Sequence, residues 1–188
     1  MNAAHHEFCA SHEWRQIVEE MILPVALRDL ELGDDVLEIG PGPGFTTDVL
    51  RTKTQRLTAV ELDPGLADDL DRRLAGTNVD VVQGDATALD FANDRFTAAA
   101  AFNMLHHVPN DDAQDRIFAE VARVLRPGGV FVAVDGVASD DLLAFHEGDT
   151  YHPIEANGLT ERLGSSGFTG VDVRLYDLGW IAEARTGS

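Results

Sequence analysis

Between Ser11 and Leu30, apolar residues at Trp14, Ile17, Val18, Met21, Ile22, Val25 and Leu27 recur at helical spacing, with Glu13, Glu19, Glu20 and Arg28 between them. The pattern predicts an amphipathic helix, interrupted or bent at Pro24, since proline has no N–H to donate inside a helix. Past the Gly33-Asp34-Asp35 turn the period changes. Val36-Leu37-Glu38-Ile39 predicts a short buried strand that runs into Gly40-Pro41-Gly42-Pro43-Gly44, followed by a helix from Phe45 to about Arg51. Leu57–Leu62 then predicts a second strand, and Asp63-Pro64 opens a helix reaching about Leu74. Val79–Val82 is a third strand, ending at Gly84-Asp85. Phe96–Phe102 reads as a fourth despite its alanines, because a helix over Asp112–Leu125, an Arg126-Pro127-Gly128-Gly129 turn and a strand at Val130–Val134 follow it. Strands alternating with helices at this interval imply an α/β fold with a parallel, doubly wound sheet. In the tail, Val171–Leu175 and Trp180–Ala184 are too close for a crossover and must pair antiparallel. The 188 residues fit one domain, with 1–32 as a helical cap segment and 33–188 as the α/β core.

Charge narrows the partners. The 33 acidic side chains against 14 basic ones leave a net charge of −19. Such a surface repels phosphate backbones and anionic lipid, so neither nucleic acid nor a membrane is an expected partner. The single cysteine, Cys9, excludes an internal disulfide framework and a cysteine-based zinc site. The start of the chain has no basic segment leading into an apolar one, and a cytoplasmic protein is expected. His5, His6 and His12 lack carboxylate or cysteine partners at ligand spacing, so no metal is expected. A second copy of the chain remains open as a protein partner.

In open parallel sheets ligands bind beyond the carboxyl ends of the strands. The first predicted strand ends in Glu38-Ile39-Gly40-Pro41-Gly42-Pro43-Gly44-Phe45. Its glycines let the backbone approach a ligand, but Phe45 stands where the third glycine of a dinucleotide fingerprint belongs, and Glu38 would sit badly beside a pyrophosphate. The loop suits a nucleoside without phosphate. Glu61 ends the second strand, where a carboxylate accepts hydrogen bonds from both hydroxyls of a ribose. At the third, the Asp85 carboxylate can accept from an adenine amino group while the Ala86 N–H donates to the ring.

The segments VLEIGPGPGF, AVELDP, VVQGDATAL, AAAFNMLHHV and VLRPGGVFVAVD together resemble the class I S-adenosylmethionine-dependent methyltransferases over nearly the whole chain. The wording HHV and LRPGG is most similar to the broad group holding the quinone, sterol and arsenite methyltransferases. The resemblance implies a Rossmann-like seven-stranded sheet in the order 3-2-1-4-5-7-6 with strand 7 antiparallel, and S-adenosylmethionine as cofactor. It assigns the cofactor to Glu38, Gly40, Pro41, Gly42 and Gly44, the ribose to Glu61 with Leu62 beside it, the adenine to Asp85 and Ala86, and the methionine region to Asn103.

The reaction it implies is methyl transfer to a small-molecule acceptor, with S-adenosylhomocysteine as product. A base is needed only where the acceptor must lose a proton. Candidates are His106 and His107, of which at most one faces the pocket because neighbours point apart, and His146, Tyr151 and His152 in the connection from Asp135 to Ile154. Trp14, His146 and Tyr151 are the expected substrate contacts. Two other readings stay open: a cofactor-binding module that acts through a protein partner, and a nicotinamide-dependent oxidoreductase, which the displaced glycine disfavours.

Overall fold

The computed structural model describes residues 2–187, without the side chains at positions 3, 4 and 6, so the His6 side chain lies outside the described residues. Strands β1 (Asp35–Ile39), β2 (Arg56–Glu61), β3 (Val79–Gln83), β4 (Phe96–Phe102) and β5 (Leu125–Asp135) run parallel, while β6 (Phe168–Tyr176) and β7 (Gly179–Thr186) form an antiparallel pair on β5. The order β3-β2-β1-β4-β5-β7-β6 is the expected one.

Strand β4 can be alanine-rich because it lies mid-sheet and is covered on both faces. Ala99 and Ala101 point to the layer formed by α6 (Asp111–Val124) and α8 (Ala156–Ser165), against Ile117, Val121, Leu159 and Leu163. Ala98 and Ala100 point the other way, to the layer of the N-terminal helices, α4 (Phe45–Leu50) and α5 (Pro64–Leu74), against Val18, Ile22, Leu50 and Leu70. The alternation is the two-residue period of a strand, with small side chains where both faces are crowded.

Several boundaries differ from the sequence reading. At the N-terminus, α1 (Ala3–Cys9) precedes the expected helix. The helix proper starts as α2 (His12–Gln16), where the Ser11 hydroxyl accepts from the Trp14 N–H at 3.0 Å. It widens into a π-helical turn at Ile17–Ile22 and continues as α3 (Leu23–Ala26). Pro24 therefore does not break it: the proline occupies the first turn of α3, where its missing N–H is tolerated, and the wide turn before it absorbs the change. The expected Arg126–Gly129 turn is a bulge within β5. Leu125 pairs with Phe96 and Val130 with Ala98, and Gly128 bulges out at φ +74°. Two helices leave almost no apolar period: α7 (Asp140–Phe145) buries no residue, and α8 buries only Leu159 and Leu163. Among the described residues no helix is long and apolar enough to cross a membrane.

Candidate functional site

The glycine loop turns back on itself directly after β1. The Gly40 N–H donates to the Val60 carbonyl at 2.9 Å, the Gly42 N–H to Glu61 Oε2 at 3.0 Å and the Gly44 N–H to the Pro41 carbonyl at 2.9 Å. Gly42 has φ +54°, and a Cβ there would meet nothing within 4 Å, so its outer side is open space. Gly44 has φ +86°, and a Cβ there would lie 2.4 Å from both the Leu70 and Arg73 side chains. Its glycine serves packing of the loop on α5, and Gly44 is not on the wall of the cavity the loop borders. Arg73 holds the loop from below, donating to the Pro43 and Gly44 carbonyls at 3.1 and 3.2 Å and to the Asp48 carboxylate at 2.8 and 2.9 Å. Arg15 of α2 reaches the same carboxylate at 3.0 Å. This clamp is tertiary, and no local spacing announces it.

The cavity above the loop has a volume of about 970 Å³, at the upper end of the usual ligand-pocket range. It is bordered by the ends of four successive parallel strands: Gly40, Pro41 and Gly42 after β1, Glu61 and Leu62 at β2, Asp85 and Ala86 after β3, and Asn103 after β4. Glu61 is nearly buried, and its two oxygens accept one backbone N–H each, from Gly42 and from Asp63, both at 3.0 Å. Asp85 is exposed, with Oδ1 accepting from the Thr87 N–H at 2.8 Å. Leu62 is 64% exposed, an apolar side chain left at the mouth. Asn103 has φ +52°, the left-handed region, and its N–H is taken by the Val134 carbonyl at 2.8 Å.

Glu38 departs from its expected place. It is buried beneath the loop and is not on the cavity wall. The Thr46 hydroxyl donates to Oε1, while Oε2 has no hydrogen-bond partner. Burial pushes its carboxyl up to about 7, against the opposing Thr46 hydrogen bond.

Beyond the strand ends, Trp14 is on the wall as expected, together with Val18, Phe45, Met104, Val108 and Ile117, which the sequence reading did not single out. The two adjacent histidines do not point apart: their rings pack together with centroids 4.1 Å apart, although only one of them reaches the cavity. His107 borders the cavity, whereas His106 turns to Asp135, which accepts from its backbone N–H at 3.0 Å and bonds its Nδ1. Burial pushes the His107 imidazole down to about 3, with the neighbouring His106 adding to the effect. His146 and Tyr151 are not on the wall. They stack on each other with ring centroids 4.4 Å apart, and Asp149 and Thr150 border the cavity in their place. His152 faces Asp111 at 2.9 Å, away from the cavity. Cys9 also borders it, but burial pushes its thiol up to about 11, so it is no thiolate.

Residues 36–129 match a family profile described as a methyltransferase domain. The ribosomal RNA small subunit methyltransferase A of Desulfitobacterium hafniense is 45% identical over 73 residues, 39% of this chain and 26% of that protein. A sterol 4-C-methyltransferase of Caenorhabditis elegans is 30% identical over 118 residues, 60% of this chain and 34% of that protein. The chain thus spans about a quarter to a third of the length of these curated relatives. Among solved structures, a SAM-dependent methyltransferase from Methanosarcina mazei superposes with a TM-score of 0.72 at 20% identity, covering 87% of this chain and 97% of that one.

Proposed function

Because the chain belongs to the methyltransferase-domain family, we propose that it binds S-adenosylmethionine in the strand-end cavity and transfers its methyl group to a small-molecule acceptor by in-line displacement. One observation carries the reading: the glycine loop, Glu61 and Asp85 converge on a single cavity from three successive strand ends, with Asn103 from a fourth. The residues fit that cofactor. Each Glu61 oxygen keeps a lone pair beyond the one given to backbone, which suits two ribose hydroxyls. The exposed Asp85 carboxylate suits an amino group on the base, and Leu62 offers the base an apolar surface. The open side of Gly42 gives room for the chain beyond the ribose.

When bound, S-adenosylmethionine supplies a methyl group made electrophilic by its sulfonium. The residues of this chain then have two tasks, to hold an acceptor in line and to keep water out. Trp14, Val18, Met104, Val108 and Ile117 give the wall the apolar surface for both. The His107 imidazole, pushed down to about 3, is a weak base, so an acceptor that reacts without prior deprotonation is favoured.

The acceptor class follows from charge. Glu61, Asp63, Asp69, Asp85 and Asp149 border the cavity against Arg116 alone among the described residues. That field favours a neutral or cationic small molecule over a polyanion. The ribosomal RNA relatives favour the opposite reading, through a shared stretch of 73 residues. Incubation with methyl-labelled donor, RNA and a small-molecule extract separates the two. Label is expected in the low-mass fraction, and label in RNA would overturn the acceptor assignment. Calorimetry tests the donor: S-adenosylhomocysteine is expected to bind, with Asp85→Ala weakening it by about tenfold or more for a lost charged hydrogen bond. Unchanged affinity would remove the adenine role of Asp85, and binding of NAD in place of S-adenosylhomocysteine would remove the donor.

A further inference from the structure

Three histidines far apart in sequence meet behind the cavity wall: His5 on α1, His107 after β4 and His146 at the end of α7. We propose that these three imidazoles form a binding site for a divalent transition-metal ion of the zinc class. One ring nitrogen from each lies within 4.8 Å of the other two. The ring centroids are 4.9 Å apart for His5 and His107, 4.5 Å for His5 and His146, and 5.3 Å for His107 and His146. Three imidazoles on a tetrahedral ion at about 2.0–2.1 Å would place their centroids roughly 5 Å apart.

The surroundings leave the same nitrogen of each ring free to bind an ion. His5 Nδ1 faces Asp149 Oδ2 at 3.1 Å, His107 Nδ1 the Thr150 carbonyl at 3.3 Å, and His146 Nδ1 the Leu142 carbonyl at 2.6 Å. An oxygen acceptor at Nδ1 requires the proton there, so in the neutral ring the lone pair is on Nε2. A carboxylate or carbonyl behind one nitrogen and a free lone pair on the other is how metal-binding histidines are oriented. His146 adds an independent sign. Its side chain is buried, and its Nε2 has no hydrogen-bond partner. Burial disfavours the charged form of all three rings, in keeping with the neutral state a ligand needs.

An all-nitrogen set of three favours zinc or its late first-row neighbours over magnesium or calcium, and leaves a fourth position open. The ion would tie α1 to the connection after β5 and to the end of β4. Because His107, Asp149 and Thr150 also border the cavity, it would brace one side of that wall. The inference rests on ring geometry and holds whether or not the chain transfers methyl groups.

The test uses the full chain, stripped with a chelator and titrated with Zn²⁺ alone by calorimetry, and with Co²⁺ as an optical probe. One equivalent is expected, with the intense visible bands of four-coordinate Co²⁺. His146→Ala and His107→Ala should each weaken binding by about a hundredfold, and Asp149→Asn, which replaces the carboxylate shared by His5 Nδ1 and the Asn2 backbone with a neutral amide of the same shape, by about ten- to a hundredfold. Circular dichroism identifies any histidine variant that fails to fold, and the Asp149→Asn result then decides. Weak, multi-site Zn²⁺ binding with the pale spectrum of six-coordinate Co²⁺, or affinity unchanged by Asp149→Asn, would overturn the site.

Discussion

Glu38→Gln isolates the cost of the buried carboxyl beneath the glycine loop. In the unfolded chain this group ionises at about 4.5 and in the fold at about 7. A folded-state pKa raised by burial means that the folded state holds the proton over that interval while the unfolded state has lost it, so stability falls as pH rises. At about 1.4 kcal/mol per unit, the full shift is worth about 3 kcal/mol, of which about 2.5 falls between pH 5 and 8.5. The variant keeps an acceptor for the Thr46 hydroxyl and cannot ionise. Urea denaturation of both proteins across pH 5–8.5 subtracts the titration of the other carboxylates. The stability of the variant relative to the parent should rise by about 2–3 kcal/mol over that range. A difference that stays flat, or that falls with pH, would show that Glu38 ionises normally in the fold and would refute the argument from burial.

Gly44→Ala should destabilise by about 2–3 kcal/mol, from the left-handed backbone together with the contact on Leu70 and Arg73. Gly76→Ala is its control: φ is +80° with nothing within 4 Å, so only the backbone cost of about 1–2 kcal/mol remains, and equal losses by urea denaturation would discount the packing on α5. The pH profile of kcat/KM should lack an inflection near 6.5 assignable to His107, because its imidazole is neutral well below that range. An acid limb that disappears in His107→Asn would contradict this.

Much of the sheet, and the strand ends that border the cavity, were legible because their determinants are local. A run such as Val36–Ile39 followed at once by glycines needs only neighbouring residues to define a buried strand and a loop with positive φ. The same holds for Glu61 and Asp85, each placed by the strand directly before it. Elements with few apolar anchors were not legible: α8 rests on Leu159 and Leu163 between glycines, and α7 buries nothing. Side-chain destinations across the fold were harder still. Whether Glu38 borders the cavity or lies beneath it depends on where Thr46 comes to rest, and whether His106 or His107 faces inward depends on Asp135, at the end of another strand.

What the chain determined by itself is therefore the doubly wound architecture, the placing of Glu61 and Asp85 at strand ends and the acidic net charge. Periodicity, turn residues and net charge are properties of neighbouring residues or of composition, and they survive without a fold. The tertiary structure alone decided the Arg73 and Asp48 clamp, the burial of Glu38 and the meeting of His5, His107 and His146. The clamp and the histidine cluster join segments separated by tens of residues, which only packing onto one sheet brings within a few ångströms, and Glu38 and Thr46, 8 residues apart, meet only because the glycine loop folds back between them.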